Sequence, residues 1–158
     1  MQLGNARILL TGAGGGLGQE LARQLHAAGA SLLLAGRDAT RLHALQSSLG
    51  DRCSIVCADL TRTEGVTVTA RAAREAGVNV LINNAGTSAF GLLENQEWAS
   101  VEQVLNTSLE APIHLTHALL PWLRSQPQAS IVNIGSTFGS LPFPGFAAYS
   151  AAKAGLRG

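Results

Sequence analysis

The sequence predicts an α/β fold in which helices cover both faces of a parallel sheet. Short runs of leucine and β-branched residues alternate with longer alanine-rich stretches of helical period, the pattern of parallel strands joined by crossover helices. Each short run is nearly continuously apolar, as expected of strands buried on both sides. A chain of 158 residues can bury one core but not two, so we expect a single domain over residues 1–158.

Five strands and five helices follow from these patterns. The strands are predicted at Ala6–Thr11, Ser31–Ala35, Ser54–Ala58, Val78–Asn83 and Ser130–Gly135. The helices are predicted at Gly16–Ala28, Ala39–Leu49, Glu64–Glu75, Glu97–Arg124 and from Ala147 onward. Glycines that favour a helical stop follow three of the helices, at Gly29, Gly50 and Gly77. Pro112 lies inside the fourth helix without a backbone N–H, so we expect a kink there or a later start of that helix.

The composition excludes several classes of protein. Hydrophobic residues make up 46% and charged residues 13%, which rules out intrinsic disorder, and a net charge of +1 provides no surface for nucleic acid. The segment before Gly12 is too short for a signal or a membrane span. Cys53 and Cys57 are too far apart on a strand for a disulfide, so we expect a cytoplasmic protein with reduced thiols. His114 and His117 lack companion ligands, and no metal is expected.

A glycine-rich segment joins the first strand to the first helix. It reads Thr11-Gly12-Ala13-Gly14-Gly15-Gly16-Leu17-Gly18. Glycine permits positive φ and lets a pyrophosphate approach backbone amides at a helix N-terminus, which makes Gly12, Gly16 and Gly18 candidates for a phosphate cradle. The pattern G-x-G-x-x-G is not literally present, because Leu17 takes its last glycine position, and the lysine of a Walker A loop is absent. A flexible turn is the alternative, but the strand and helix on either side favour nucleotide binding.

The end of the second strand predicts which nucleotide binds. An acidic residue about 20 residues after the glycine loop normally bonds the adenosine ribose. Here Gly36 stands at that point and Arg37 follows, and a guanidinium can pair with a ribose 2′-phosphate. This favours NADP(H) over NAD(H). The alternatives are a solvated Arg37 and an Asp38 that reaches the ribose, although an N-cap role is more ordinary for Asp38.

The chain contains one tyrosine and one lysine, and they stand four residues apart as Tyr149 and Lys153. On a helix this spacing places both side chains on one face, with Cβ atoms about 5–6 Å apart. A cation at that range favours the ionised form of a phenol, which suits a general acid/base. A surface lysine beside a half-buried tyrosine is the alternative for any isolated pair of this kind.

Four separated segments occur in the order and approximate spacing of one known family. They are Thr11-Gly12 with Gly16 and Gly18, Asn83-Asn84-Ala85-Gly86, Ser136, and Tyr149 with Lys153. Through them the chain strongly resembles the short-chain dehydrogenase/reductase family over essentially its whole length. The resemblance implies a Rossmann-type doubly wound sheet in three layers that binds NAD(H) or NADP(H). It also implies an oxidoreductase that moves hydride between this cofactor and a carbonyl or alcohol.

The resemblance implies a role for four catalytic residues. Tyr149 would be the acid/base on the substrate oxygen, and Ser136 would hold the carbonyl. Lys153 would favour the phenolate of Tyr149 and bond the nicotinamide ribose. Asn106 matches a helix asparagine that holds a relay water, with an ordinary mid-helix polar residue as the alternative.

Cofactor contacts are implied along the same segments. Asp59 and Leu60, after the third strand, match a pair that contacts the adenine, and residues 84–86, after the fourth strand, match a segment that lines the adenosine ribose. Ordinary turn chemistry is the alternative for both. The expected cofactor-binding residues are Thr11, Gly12, Gly14, Gly15, Gly16, Leu17, Gly18, Arg37, Asp59, Leu60, Asn84, Ala85, Gly86, Tyr149 and Lys153.

Phenylalanines indicate the character of the substrate side. Phe90 follows the fourth strand, and Phe138, Phe143 and Phe146 lie between Ser136 and the tyrosine. We therefore expect an apolar substrate side, although core packing explains some of these residues equally well. The expected partner is a small-molecule carbonyl or alcohol.

The sequence departs from the family at its carboxyl end. The family continues for roughly another hundred residues, whereas this sequence stops five residues after Lys153. We therefore expect residues 1–158 to lack the last strands and the substrate lid, and we expect a homo-oligomer for the full-length protein. Two functions stay open: an NADP(H)-preferring enzyme, and a non-catalytic nucleotide-binding regulatory or scaffold protein. The intact Ser136, Tyr149 and Lys153 favour the enzyme.

Overall fold

The computed structural model describes residues 2–157 and contains one parallel sheet of five strands. The strands are β1 (Arg7–Thr11), β2 (Ser31–Gly36), β3 (Cys53–Cys57), β4 (Val80–Asn83) and β5 (Ser130–Asn133). Their order in the sheet is β3-β2-β1-β4-β5, and every neighbouring pair is parallel. The predicted α/β class and the five strands are therefore confirmed.

Helices cover both faces of this sheet. They are α1 (Gly16–Ala27), α2 (Ala39–Leu49), α3 (Thr63–Glu75), α4 (Trp98–Leu105), α5 (Ala111–Arg124) and α6 (Ala147–Gly155). Gly29, Gly50 and Gly77 follow α1, α2 and α3 and have positive φ, as expected of glycines that end a helix. Among residues 2–157, no helix is long and apolar enough to cross a membrane.

The core of the domain has two aliphatic layers, one on each face of the sheet, because alternate strand residues point to opposite sides. On one face Ile8 and Leu10 of β1 pack with residues of β2, α1 and α2. On the other face Leu9 packs with residues of α3 and α5, among them Val66 and Leu115. The result is the three-layer Rossmann-type fold, in which the strand order reverses between β1 and β4. Ligands of such sheets bind outside the carboxyl ends of the strands at that reversal.

The segment predicted as one helix over Glu97–Arg124 is divided. A π-helical turn over Asn106–Glu110 separates α4 from α5, and the N–H of Ala111 donates to the carbonyl oxygen of Asn106, five residues back. The next residue is Pro112, which has no N–H for the i−4 carbonyl, so the regular α-helical ladder cannot run through this point. The expected disturbance at Pro112 is thus confirmed, and the continuous helix is wrong.

The expectation that every strand is covered on both faces fails at β5. All four residues of Ser130–Asn133 are exposed, including Ile131 and Val132. β5 pairs with β4, and within residues 2–157 it is the last strand on that side of the sheet. β3, at the opposite edge, is also partly exposed. An apolar run alone does not tell a central strand from an edge strand.

Candidate active site

Two glycines of the turn after β1 allow close backbone packing. Gly12 has a φ of 66°, and a Cβ there would lie 2.8 Å from the Cα of Ala85. A Cβ on Gly18 would collide with the carbonyl oxygen of Gly12. These glycines let helix α1 begin directly against the turn and let the loop after β4 lie beside it.

Of the remaining glycines of the turn, Gly15 and Gly16 border open space, whereas a Cβ on Gly14 would contact the Arg41 side chain at 3.4 Å. A Cβ on Gly16 would meet nothing within 4 Å, and one on Gly15 would only reach the carbonyl oxygen of Gly12 at 3.4 Å. Gly14, Gly15 and Gly16 all line a cavity of about 520 Å³ that begins at the N-terminus of α1. The partial positive charge of a helix N-terminus therefore faces a space without Cβ atoms, which is the chemistry of a phosphate cradle.

This cavity runs along the carboxyl ends of the strands from α2 to α6. Its wall contains every predicted cofactor residue except Thr11. Of the predicted catalytic residues it contains only Tyr149 and Lys153. The predicted residues in the wall are Gly12, Gly14, Gly15, Gly16, Leu17, Gly18, Arg37, Asp59, Leu60, Asn84, Ala85, Gly86, Tyr149 and Lys153. One continuous cleft thus connects the glycine turn with the tyrosine and the lysine.

Thr11 lies behind the cavity wall and is buried. Its Oγ1 accepts hydrogen bonds from the backbone N–H groups of Asn84, at 3.0 Å, and Ala85, at 2.9 Å. The Asn84 side chain donates in return to the Thr11 carbonyl oxygen at 2.9 Å. Thr11 therefore joins the two loops that follow β1 and β4, and it positions cavity residues from behind.

Two arginines line the end of the cavity near β2. Arg37 follows Gly36 at the end of the strand and has no ion-pair partner within residues 2–157. Asp38 caps α2 by accepting from the Arg41 N–H at 3.0 Å, and its other oxygen lies 3.2 Å from Arg41 Nε. The N-cap role of Asp38 is confirmed. Arg41, which also lines the cavity, was not anticipated from the sequence, although it stands one helical turn after Arg37.

Asp59 forms an adjacent part of the wall after β3. Burial raises the pKa of its carboxyl, but hydrogen bonds from the N–H and hydroxyl of Thr61, at 3.0 and 2.8 Å, and the charges of Arg37 and Arg62 outweigh burial. The net effect is a lowered pKa, so Asp59 is ionised at neutral pH. This end of the cleft therefore holds both carboxylate and guanidinium groups.

The opposite end of the cleft holds Tyr149 and Lys153 on α6. Lys153 is 3% exposed, and its ammonium donates to the Ile134 carbonyl oxygen at 2.7 Å. Its Nζ lies 5.8 Å from the centre of the Tyr149 ring. Burial lowers the pKa of Lys153. A buried ammonium with no carboxylate partner in residues 2–157 is costly, and such groups are typical of functional sites.

The structure places the other two predicted catalytic residues outside the cavity wall. The Ser136 hydroxyl accepts from the Phe138 N–H at 3.2 Å and caps the short helical turn Thr137–Gly139, while Ile134 and Gly135 line the cavity. Asn106 begins the π-helical turn, from which Thr107 reaches the wall. Both residues lie next to lining residues in the chain.

Two hydroxyl side chains of the π-helical turn were not anticipated. Ser108 is fully buried, and its Oγ accepts from the Thr87 N–H at 3.0 Å and donates to the Thr87 carbonyl oxygen at 2.8 Å. Thr107 lines the cavity, and its hydroxyl oxygen is buried without a hydrogen-bond partner in residues 2–157. The three consecutive polar residues 106–108, in the turn before Pro112, are the signal that could have indicated them.

Comparison with known proteins identifies the class to which this fold and site belong. The sequence profile of the short chain dehydrogenase family matches residues 6–158. The chain belongs to this family, which confirms the resemblance stated from the sequence.

Individual relatives agree with this assignment. The chain is 36% identical to nodulation protein G of Rhizobium sp. (strain N33), over 99% of this chain and 65% of that protein. It is 35% identical to the NADP-dependent 3-hydroxy acid dehydrogenase YdfG of Salmonella typhi, over 95% and 62% of the two chains. The crystal structure of a short chain dehydrogenase/reductase from Burkholderia phymatum in complex with NAD superimposes with a TM-score of 0.94 at 29% identity, over 99% of this chain and 58% of that one. The chain thus spans between half and two thirds of the length of the relatives it matches.

The residues of the cleft fit the nicotinamide dinucleotide that two of these relatives carry in their names. The glycine turn opens on the cavity at a helix N-terminus, Arg37 lines the cavity without an ion-pair partner in residues 2–157, and Thr107 lines it further along. A helix N-terminus suits a pyrophosphate, and the two side chains can hydrogen-bond polar groups of a nucleotide.

Proposed function

We propose that the protein is an NADP(H)-dependent oxidoreductase that transfers hydride between the nicotinamide and a carbonyl or alcohol, with Tyr149 as acid/base. One observation carries this proposal: Tyr149 and Lys153 line the same cavity as the glycine turn. A helix end that attracts phosphate and a phenol beside a buried ammonium are the two groups that such a reaction requires in one cleft. Membership of the short chain dehydrogenase family supports the proposal.

Residues along the whole cleft would hold the cofactor. The N-terminus of α1 and the backbone of residues 14–16 would bind the pyrophosphate, where the helix charge meets a surface without Cβ atoms. Asp59 and Leu60 would contact the adenine, and residues 84–86 would line the adenosine ribose. Lys153 would bond the nicotinamide ribose at the other end.

Arg37 would select the phosphorylated cofactor. Its guanidinium lines the cavity without an ion-pair partner in residues 2–157, so it can turn to a ribose 2′-phosphate without breaking an existing pair. Gly36 leaves no carboxylate at the end of β2 to bond the ribose hydroxyls, and the Asp59 carboxylate near Arg37 is held by Thr61. The carboxylate of Asp38 is held by Arg41 and by the start of α2. These features support NADP(H) as the preferred cofactor and NAD(H) as the weaker one.

Tyr149 would act directly on the substrate. In the reducing direction its hydroxyl gives a proton to the substrate oxygen as the C=O group becomes C–OH, and the ammonium of Lys153 stabilises the phenolate left behind. Ser136 would donate a hydrogen bond to the same oxygen, and Asn106 would hold a water through which the proton returns. When bound, the nicotinamide supplies or accepts the hydride.

We propose a small-molecule substrate, a cytoplasmic location and a homo-oligomeric full-length protein. Membership of the short chain dehydrogenase family supports the small-molecule substrate.

Isotope transfer tests the proposed reaction. The protein is incubated with NADPH deuterated at its transferable position and with a panel of ketones and aldehydes, and the alcohols formed are examined by mass spectrometry. One deuterium on the former carbonyl carbon is expected. If NADPH binds and no carbonyl in the panel receives deuterium, the protein is a non-catalytic nucleotide-binding protein instead.

Calorimetric titration tests the cofactor preference. Arg37→Ala is expected to weaken NADPH binding by about 1–3 kcal/mol and to leave NADH binding unchanged, because only NADPH carries the 2′-phosphate. Arg71→Ala is the control, since Arg71 lies on α3 and pairs with Glu75 on the surface. Equal losses for the two cofactors would contradict the role of Arg37.

A further inference from the structure

All four phenylalanines of the chain and its one tyrosine form a single cluster, which we call the aromatic wall: Phe90, Phe138, Phe143, Phe146 and Tyr149. Phe138 and Phe146 contact Tyr149 edge-on, with ring centres 6.3 and 6.4 Å away. Phe143 stacks on Phe138 at 5.6 Å, and Phe90 lies 5.2 Å from Phe146. The wall therefore extends outward from the phenol that we propose as the proton donor.

The wall is built from two loops that are fastened together. The N–H of Gly91 donates to the carbonyl oxygen of Gly145 at 2.9 Å, which joins the loop after β4 to the loop before α6. Gly145 has a φ of 86°, and a Cβ there would lie 2.6 Å from the ring of Phe90. Only glycine permits this backbone conformation together with this ring position. The Phe146 N–H also donates to the Phe143 carbonyl oxygen.

The phenylalanines do not serve the cores on the two faces of the sheet. Those cores consist of aliphatic side chains, with one partly buried tryptophan packed against the second of them. Phe90 is 74% exposed and Phe143 is 54% exposed, and Leu141 beside them is 76% exposed. Exposed apolar surface that adjoins a cavity is typical of a ligand site. Within residues 2–157 the outer rings of the wall are thus exposed beside Tyr149.

Charge is absent from the chain segments that form this side of the cleft. Residues 76–93 and 125–152 contain no lysine, arginine, histidine, aspartate or glutamate. Lys153 is buried and hydrogen-bonded to Ile134, and Arg157 donates to the Ser140 hydroxyl, so each of these two cations already has a partner. A substrate carboxylate or phosphate would find no counter-charge in these segments and would lose hydration against aromatic rings, which is unfavourable.

We infer that the substrate is an uncharged ketone or aldehyde, or the corresponding alcohol, that carries an aryl or similarly flat apolar group bound against Phe90 and Phe143. This inference rests on the proposed function and specifies its substrate class. The carbonyl takes hydride at carbon from NADPH and a proton at oxygen from Tyr149, which leaves an alcohol and NADP⁺. Ring faces and edges on the wall match an aryl group, because offset-stacked and edge-to-face pairs are favourable.

Matched substrate series test the inference. kcat/KM is measured with NADPH for aryl ketones and aldehydes, for aliphatic carbonyls of similar size, and for α-keto acids. We expect kcat/KM for the aryl series to exceed that for the keto acids by about 10²-fold. The apolar surface of an aryl ring would be removed from water on binding, whereas the carboxylate of a keto acid would be left unpaired. If the keto acids are reduced as well as the aryl compounds, the inference is wrong and the proposed function stands. If no series is reduced, the proposed function fails as well.

Variants of the wall locate the effect. Phe143→Ala and, separately, Phe90→Ala are expected to lower kcat/KM for the aryl series about tenfold through KM, with a smaller change for the aliphatic series, and Phe143→Leu should recover part of the loss. Val68→Ala, an exposed apolar position on α3, is the control. Melting temperature and light scattering are recorded for each variant. Unchanged selectivity between the two substrate series would overturn the inference. A change of oligomeric state without a change of selectivity would show that protein covers the wall, and would also overturn it.

Discussion

Replacing Gly18 by alanine tests how the glycine turn and helix α1 are held together. A Cβ at residue 18 would collide with the carbonyl oxygen of Gly12 and would lie 2.9 Å from both the Gly12 carbonyl carbon and the Ala13 Cα. Residue 18 has an ordinary helical φ, so its own backbone conformation is no obstacle to alanine. The obstacle is neighbouring backbone, which cannot rotate away as a side chain would.

The expected cost follows from these distances. Nonbonded carbon atoms make their best contacts at about 3.5–4.0 Å, so α1 would have to withdraw from the turn by about 0.6–1 Å. Overpacking typically costs about 1–3 kcal/mol, and we expect Gly18→Ala to lower the free energy of unfolding by about 2–3 kcal/mol because only backbone can yield. A displacement of about 1 Å in a positioning element costs on the order of 10²-fold, so the affinity for NADPH should fall by about that factor.

Gly16→Ala is the matched control within the same turn. A Cβ at residue 16 meets nothing within 4 Å but enters the cavity. We expect unchanged stability or a gain of up to about 1 kcal/mol, because alanine is the better helix former. NADPH affinity should still fall at least about tenfold, since the methyl group takes the room of a phosphate. Urea denaturation and calorimetric titration measure the two quantities. A Gly18→Ala protein with parental stability and affinity, or a Gly16→Ala protein with parental affinity, would refute this reasoning.

Two further predictions concern stability and association. Burial lowers the pKa of Lys153 in the folded protein, so the folded state releases this proton before the unfolded state does. We therefore compare the free energy of unfolding of the parent with that of Lys153→Met. The difference should rise with pH between the lowered and the ordinary lysine pKa and stay level below that window. Parallel pH curves of the two proteins in denaturation experiments would contradict this prediction. A polypeptide of residues 1–158 is expected to self-associate, because β5 presents exposed Ile131 and Val132 at a sheet edge, and Val132→Lys should reduce this. Light scattering that shows a cooperatively melting monomer would rule it out.

Local sequence patterns were sufficient where one physical rule decides the outcome. Glycine stops after three helices, the glycine turn between β1 and α1, and the i, i+4 spacing of Tyr149 and Lys153 each depend on a few neighbouring residues. The strands were located for the same reason, within two residues at either end. The cleft could be assembled in advance because the carboxyl ends of parallel strands share one edge.

Other features depend on residues distant in the chain and were missed. The exposure of β5 depends on its place in the strand order, which its apolar run does not encode. The hydrogen bonds of Thr11 with Asn84 and Ala85 were not anticipated, because these two residues come from a loop far along the chain. The roles of Ser108 and Arg41 likewise become visible only when the loop after β4 and the start of α2 are in place.

The central claim is that Tyr149 gives its proton to the substrate at the nicotinamide end of a cleft that holds NADPH along its length. Tyr149→Phe keeps the ring and its contacts with Phe138 and Phe146 and removes only the hydroxyl. Steady-state carbonyl reduction is measured beside NADPH titration and thermal melting. We expect a kcat lower by about 10²–10⁴-fold with unchanged NADPH affinity and melting temperature, whereas Lys153→Ala should weaken both turnover and cofactor binding. A Tyr149→Phe protein that reduces carbonyls as fast as its parent would contradict the claim.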